Sequence, residues 1–176
     1  MSVRIYPKGV SQETPWDQRN TLKLNLKSKS AAETKRIGRL LGKYFSSGTV
    51  VALQGELGAG KTTLVKGIAK GLGVASEKSV SSPTFVLIHE YAGREKVFHL
   101  DWYRLSRVEG ADESMAEECF ASSGVTLVEW PERGHSLLPS RAVRIRLSHR
   151  GPKSRLIAVS FPAAPAPALL KALKRP

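Results

Sequence analysis

The chain is poor in cysteine, lacks long apolar runs and has no acid near its end. Its single cysteine, Cys119, excludes an intramolecular disulfide framework and a four-cysteine zinc site. Its longest apolar runs, such as residues 49–53, fall far short of the roughly 20 residues a membrane span requires. The opening MSVRIYPKGVSQETPW has no apolar stretch of the secretory kind, so a cytoplasmic, reduced setting with no membrane partner is expected. Residues 141–176 hold nine Lys+Arg and no Asp or Glu. Residues 51–140, with 9 basic and 12 acidic side chains, are slightly acidic, so the net +13 of the 176-residue chain comes from its two flanks. A strongly basic total invites a nucleic-acid reading, but the charge lies outside the middle segment. With 41% hydrophobic residues the chain has material for a folded core, and its length suits one domain with extensions.

Residues 1–20 are polar and show no period, and they read as an N-terminal extension to a domain spanning 21–161. Leu22, Leu24 and Leu26 alternate with polar residues as in a half-buried strand. Ser30 and Glu33 form a capping-box pattern, after which Ile37, Leu40, Leu41, Tyr44 and Phe45 share one helical face. Residues 49–54 suit a strand covered on both faces. Beyond the glycine-rich segment, Leu64, Ile68 and Leu72 mark a helix ending near Gly71 or Gly73. Residues 85–91 and 96–101 read as a hairpin, 111–120 as an acidic helix, and 125–130 as a buried strand stopped by Pro131. Residues 142–149 and 155–161 form a closing antiparallel pair, and the Pro/Ala-rich, basic stretch 162–176 reads as a tail. The fold expected is α/β: a mostly parallel central sheet flanked by helices, with antiparallel additions, of the P-loop NTPase kind.

Gly55-Glu56-Leu57-Gly58-Ala59-Gly60-Lys61-Thr62 matches G-x-x-x-x-G-K-[ST] between a predicted buried strand and a predicted helix. Glycines let the backbone wrap a polyphosphate with its N–H groups inward, and the helix start adds its positive dipole end. Lys61 is placed to reach the β- and γ-phosphates, and Thr62 to ligate Mg²⁺. A P-loop ATPase also needs an acid at the end of an apolar strand. Both Asp101 and Glu129 stand in such positions, and spacing alone does not divide their roles.

GELGAGKTT, SSPTFVLIHEY (81–91), HLDWYRL (99–105) and VEWPER (128–133), in this order, closely resemble the TsaE family, also called YjeE. The resemblance covers residues 22–150. It implies an Mg²⁺-dependent ATPase that assists threonylcarbamoylation of adenosine 37 in tRNA by acting on a complex of TsaB and TsaD; intrinsic activity is expected to be weak, since no unambiguous arginine finger is visible in the core. Contact with tRNA would be indirect, through that complex. On this resemblance Gly58, Ala59, Gly60, Lys61, Thr62 and Thr63 surround the phosphates of ATP, while Thr62 and Glu129 bind the metal. Trp130 closes over the nucleotide, and Thr84 with Phe85 senses the γ-phosphate. Asp101 holds water or the metal's hydration shell. Thr34 is a candidate contact to the base, and Arg133, with Arg104, a candidate contact to the phosphates or arginine finger. Residues 109–124 match the family only loosely.

Bland readings compete at several positions. His99, two residues before Asp101, assists the metal site or is a satisfied core histidine. Cys119 reads as a small core residue, since no Cys/His cluster accompanies it. Trp102 and Tyr103 suit either the core or a partner surface. Arg141, Arg144, Arg146, Arg150, Lys153 and Arg155 form either a phosphate-tracking stripe or a solvated sheet face. Two other functions fit a P-loop: a small-molecule kinase, for which residues 73–84 are short as a lid, and an ATP-switched nucleic-acid-binding protein.

Overall fold

An eight-stranded sheet organises the computed structural model, which describes residues 4–6 and 22–174. In chain order its elements are β1 (Arg4–Tyr6), β2 (Leu22–Ser28), α1 (Ala31–Tyr44), β3 (Val50–Gln54), α2 (Lys61–Gly71), β4 (Ile88–Tyr91), β5 (Val97–Asp101) and α3 (Ala111–Ala121). There follow β6 (Val125–Glu129), a 3₁₀ segment (Pro131–Leu137), β7 (Val143–His149), β8 (Arg155–Phe161) and α4 (Pro167–Lys174). The strand order is β1-β2-β8-β7-β3-β6-β5-β4. Its centre, β7-β3-β6-β5, is parallel, while β1, β2, β8 and β4 add antiparallel flanks. This is the α/β arrangement expected, with a parallel centre and antiparallel additions.

Strand periodicity divides the core in two. On one face Val51, Leu53, Leu127 and Ile145 pack with Ile37 and Leu41 of α1 and Leu64 and Ile68 of α2. On the other, Val50, Ala52, Leu100 and Val128 pack with Ala116 and Cys119 of α3 and with Trp102. Helix α1 starts as its sequence dictates: Ser30 Oγ accepts from the Glu33 N–H at 3.1 Å. Glu33 in turn accepts from the Lys29 N–H at 2.7 Å, one residue earlier than the reciprocal bond of a standard capping box. Helices α1 and α2 meet through small residues. A Cβ on Gly67 would run into the Lys35 carbonyl of α1, and one on Gly42 into the Ile68 carbonyl of α2.

Three segments depart from the sequence reading. The strand expected at 85–91 begins only at Ile88, because the N–H groups of Val86 and Leu87 turn back to the Pro83 carbonyl at 3.0 and 2.7 Å. Leu87 there takes a left-handed φ of 65°. The stretch 162–176, expected as a tail, contains α4, whose Leu169 and Leu173 are buried in the core with α1. Three leucines among its prolines and alanines, Leu169, Leu170 and Leu173, were enough for one amphipathic face. Of the extension expected at 1–20, Arg4–Tyr6 pairs with β2, and the remainder lies outside the described residues. No helix among the described residues is long and apolar enough to cross a membrane.

Candidate nucleotide site

The parallel strands β3, β6 and β5 end side by side, and their carboxyl ends carry the chemistry. Register sets Leu53 beside Glu129 and Glu129 beside Asp101. Strand β3 runs into the glycine-rich loop and then α2, so the loop lies over the end of the strand bearing Glu129. Open α/β sheets place ligands in this kind of crevice.

The loop is shaped by its glycines. Gly58 and Gly60 take left-handed φ values of 73° and 100°. A Cβ at Gly58 would meet no atom within 4 Å, so the left-handed backbone and not crowding is what favours glycine there. The Ala59 N–H closes a turn on the Glu56 carbonyl at 3.1 Å, and the Ala59 side chain is buried. Thr63 sits half-buried in the first turn of α2.

Lys61 is only 5% exposed. Its ammonium donates to the carbonyls of Gly55 and Glu56 at 2.6 and 3.0 Å and lies 3.7 Å from the centre of the Trp130 ring. Burial lowers its pKa below the usual lysine value, against the opposing pull of Glu129, Glu132 and Asp101. Trp130 reaches this position because the chain leaves β6 in a left-handed turn, φ 58° and ψ 47°. The strand expected to run through residue 130 therefore stops at Glu129. Tyr103 braces the Trp130 ring at 4.9 Å between centroids.

The two acids have different surroundings. Glu129, 2% exposed, accepts from the Thr62 hydroxyl at 2.9 and 3.1 Å. His99, fully buried, brings Nε2 within 2.9 Å of the same carboxylate. Asp101 instead accepts from the hydroxyls of Thr84, at 2.8 Å, and Ser82, and from the Tyr103 N–H at 2.9 Å. Glu129 thus stands with the phosphate loop, and Asp101 with the Ser82-Pro83-Thr84-Phe85 segment. Phe85 itself is 84% exposed, with the Arg104 guanidinium 4.8 Å from its ring centre.

Two further candidates have other surroundings. The Thr34 hydroxyl is occupied at the start of α1, by Ser28 Oγ at 2.7 Å and the Ser30 carbonyl at 3.2 Å, and the residue is 2% exposed. Arg133 is half-buried with no hydrogen-bond partner at Nε, and its carbonyl accepts from Val108 at 3.0 Å. Burial raises the Cys119 thiol to about 11, which suits an inert core residue. No cluster of three or more His, Cys, Asp or Glu able to hold a metal occurs among the described residues.

Sequence reasoning left the role of His99 open and did not see Ser82 as a partner of Asp101. The signal was present: His99 and Asp101 alternate on one strand, and Ser82 lies in the same motif as Thr84. It also did not foresee a groove of about 450 Å³ at the ends of β3 and β7, bordered by Gln54, Glu56, Trp130 and Arg146.

Known proteins resemble this chain over most of its length. The family model described as "Threonylcarbamoyl adenosine biosynthesis protein TsaE" matches residues 28–157. The TsaE protein of Treponema pallidum is 46% identical over 120 residues, covering 68% of this chain and 87% of the relative. That of Bacillus subtilis is 39% identical over 126 residues, covering 71% and 77% respectively. Both relatives are named "tRNA threonylcarbamoyladenosine biosynthesis protein TsaE". A crystal structure of Bacillus subtilis YdiB superposes with a TM-score of 0.68 at 32% identity, covering 87% of this chain and 95% of that one. With a glycine-rich loop over a parallel sheet end, and a family model matched from residue 28 to residue 157, the chain belongs to the TsaE family.

Proposed function

We propose that this protein is an Mg²⁺-dependent ATPase that serves threonylcarbamoylation of adenosine 37 in tRNA, acting on a complex of TsaB and TsaD. The observation that carries the reading is the contact between Thr62 and Glu129, side chains 67 residues apart in sequence, at the mouth of a glycine-rich loop. A hydroxyl and a carboxylate held together offer the oxygen donors a hard divalent cation takes, and Thr62 and Glu129 would hold it. Such a cation supplies charge neutralisation at a transferring phosphoryl group.

The chain's own residues do the rest. Backbone amides of the loop and the start of α2 orient the polyphosphate. Lys61, fixed between two carbonyls and the Trp130 ring, brings a partly desolvated positive charge to the phosphate oxygens, where it acts more strongly than in water. Asp101, held by three donors, is a fixed acceptor suited to orienting water. Because two of those donors, Ser82 and Thr84, belong to the segment that exposes Phe85, a partner resting on Phe85 has a route to the acid's position.

ATP hydrolysis by this protein, measured with and without TsaB and TsaD and with and without Mg²⁺, tests the proposal. Slow, Mg²⁺-dependent turnover that rises on adding the two partners is expected. Phosphoryl transfer to a metabolite with no response to the partners would point to a kinase instead. Salt-sensitive tRNA binding without hydrolysis would point to a nucleic-acid-binding switch.

A further inference from the structure

Arg155, at the start of β8, belongs to none of the motifs above, yet its guanidinium faces the phosphate loop. Nε donates to the Ala59 carbonyl at 3.0 Å, and Nη2 to the Gly58 carbonyl at 3.3 Å. Nη1 donates to the Ser154 and Gly151 carbonyls, at 2.9 and 3.2 Å, in the turn between β7 and β8. One planar side chain therefore ties two loop carbonyls to a turn nearly 100 residues away in sequence. Bonds to the Gly58 and Ala59 carbonyls constrain the orientation of the peptide planes at the glycines, which are the least restricted residues of the loop.

Electrostatics also bears on this placement. Helix α2 has no acid in its first turn, and Lys61 opens it. A second cation near a helix start is unfavourable to the helix dipole unless an anion joins it. Arg155 is held there by its carbonyl bonds, and its charge adds to a positive potential that a polyphosphate would relieve. The four donors used on carbonyls also show why this arginine is not part of a solvent-facing stripe.

We propose that Arg155 is a positioning residue of the nucleotide site, clamping the Gly58–Ala59 backbone in its phosphate-binding conformation from outside the glycine-rich motif. The proposal rests on the nucleotide reading for its consequence but not for its geometry. The clamp acts on the loop and not on the reacting γ-phosphate, so it affects ATP and ADP alike and affinity more than turnover. A lysine reaches one carbonyl at a time, lacks the fork and restores only part of the effect.

The test uses the full chain and its Arg155→Ala and Arg155→Lys variants. Fluorescent ATP and ADP analogues report affinity, hydrolysis at saturating ATP reports kcat, and amide hydrogen exchange without nucleotide reports the loop. Arg155→Ala is expected to weaken both nucleotides about tenfold, with kcat within about twofold of wild type. Exchange should rise at residues 58–61 with the remainder of α2 and the melting temperature little changed, and Arg155→Lys should fall between. Wild-type affinity and wild-type loop exchange in Arg155→Ala overturn the clamp, as does a loss that tracks uniform exchange and a lowered melting temperature. Local loosening of the loop in a protein that binds neither nucleotide, even as wild type, would uphold the clamp and overturn the nucleotide reading.

Discussion

At the scale of single residues, Lys61 and Glu129 give the sharpest expectations. Lys61→Ala removes a charged donor from the loop and is predicted to lower ATP affinity by about 3 kcal/mol, roughly 100-fold, in a nucleotide titration, while leaving the fold intact. The lowered pKa of Lys61 has two consequences of opposite sign. The folded protein releases this proton at lower pH than the unfolded chain, because burial disfavours the ammonium. The cost of burying the charge therefore disappears as pH rises between the folded and unfolded values, and Lys61's own contribution to stability rises with pH there. On the proposed function the phosphates are held by the ammonium, so affinity should fall with rising pH before the usual lysine value of 10.5 is reached. Titration of nucleotide affinity over alkaline pH checks this, and a flat profile would contradict it. Glu129→Gln keeps an acceptor for Thr62 but loses the charge; it is predicted to bind ATP and to hydrolyse it about 100-fold more slowly.

At the scale of elements, helix α2 carries Lys61 and Thr62 and packs against α1 through glycines. Replacing an exposed helical glycine by alanine ordinarily stabilises a helix by about 1 kcal/mol. At Gly67 the sign inverts, because the added methyl group meets the Lys35 carbonyl and the helices must separate. Gly67→Ala is predicted to cost about 1–3 kcal/mol in denaturant unfolding and to weaken nucleotide binding, since Lys61 and Thr62 lie on the displaced helix. Helix α4 behaves differently. Leu173→Ala, by opening a cavity beside α1, is predicted to cost about 2 kcal/mol or more while leaving ATP hydrolysis near wild type.

At the scale of the whole molecule, charge is partitioned. The segment 51–140, with 9 basic against 12 acidic residues, holds the loop and both acids, and the basic excess lies in the flanks. Within the C-terminal flank, Arg146 bonds Gln54 at 3.2 Å and Arg155 holds the loop, whereas Arg141, Arg150 and Lys153 are exposed. On the proposed function, changing those three to glutamine is predicted to slow association with a tRNA-loaded TsaB and TsaD complex at low salt, with little effect at high salt and none on intrinsic hydrolysis. Association kinetics over a salt series measure this.

Local pattern determined much of this protein by itself. The alternation of Leu22, Leu24 and Leu26, the cap at Ser30 and the spacing of Gly55 to Thr62 each depend on residues within one element, so β2, α1 and the loop were legible without a structure. Tail 162–176 was misjudged because composition weighs proline and alanine, whereas burial of Leu169 and Leu173 depends on α1 being there to receive them. The different partners of Asp101 and Glu129 were undecidable from spacing, because they depend on β6 lying between β5 and β3, which brings Glu129 to Thr62. Arg155 was one basic residue among several until the sheet order set β8 and its turn beside the loop. Hydrogen bonds between residues far apart in the chain are made by topology, and only the tertiary structure decides which donors meet which acceptors.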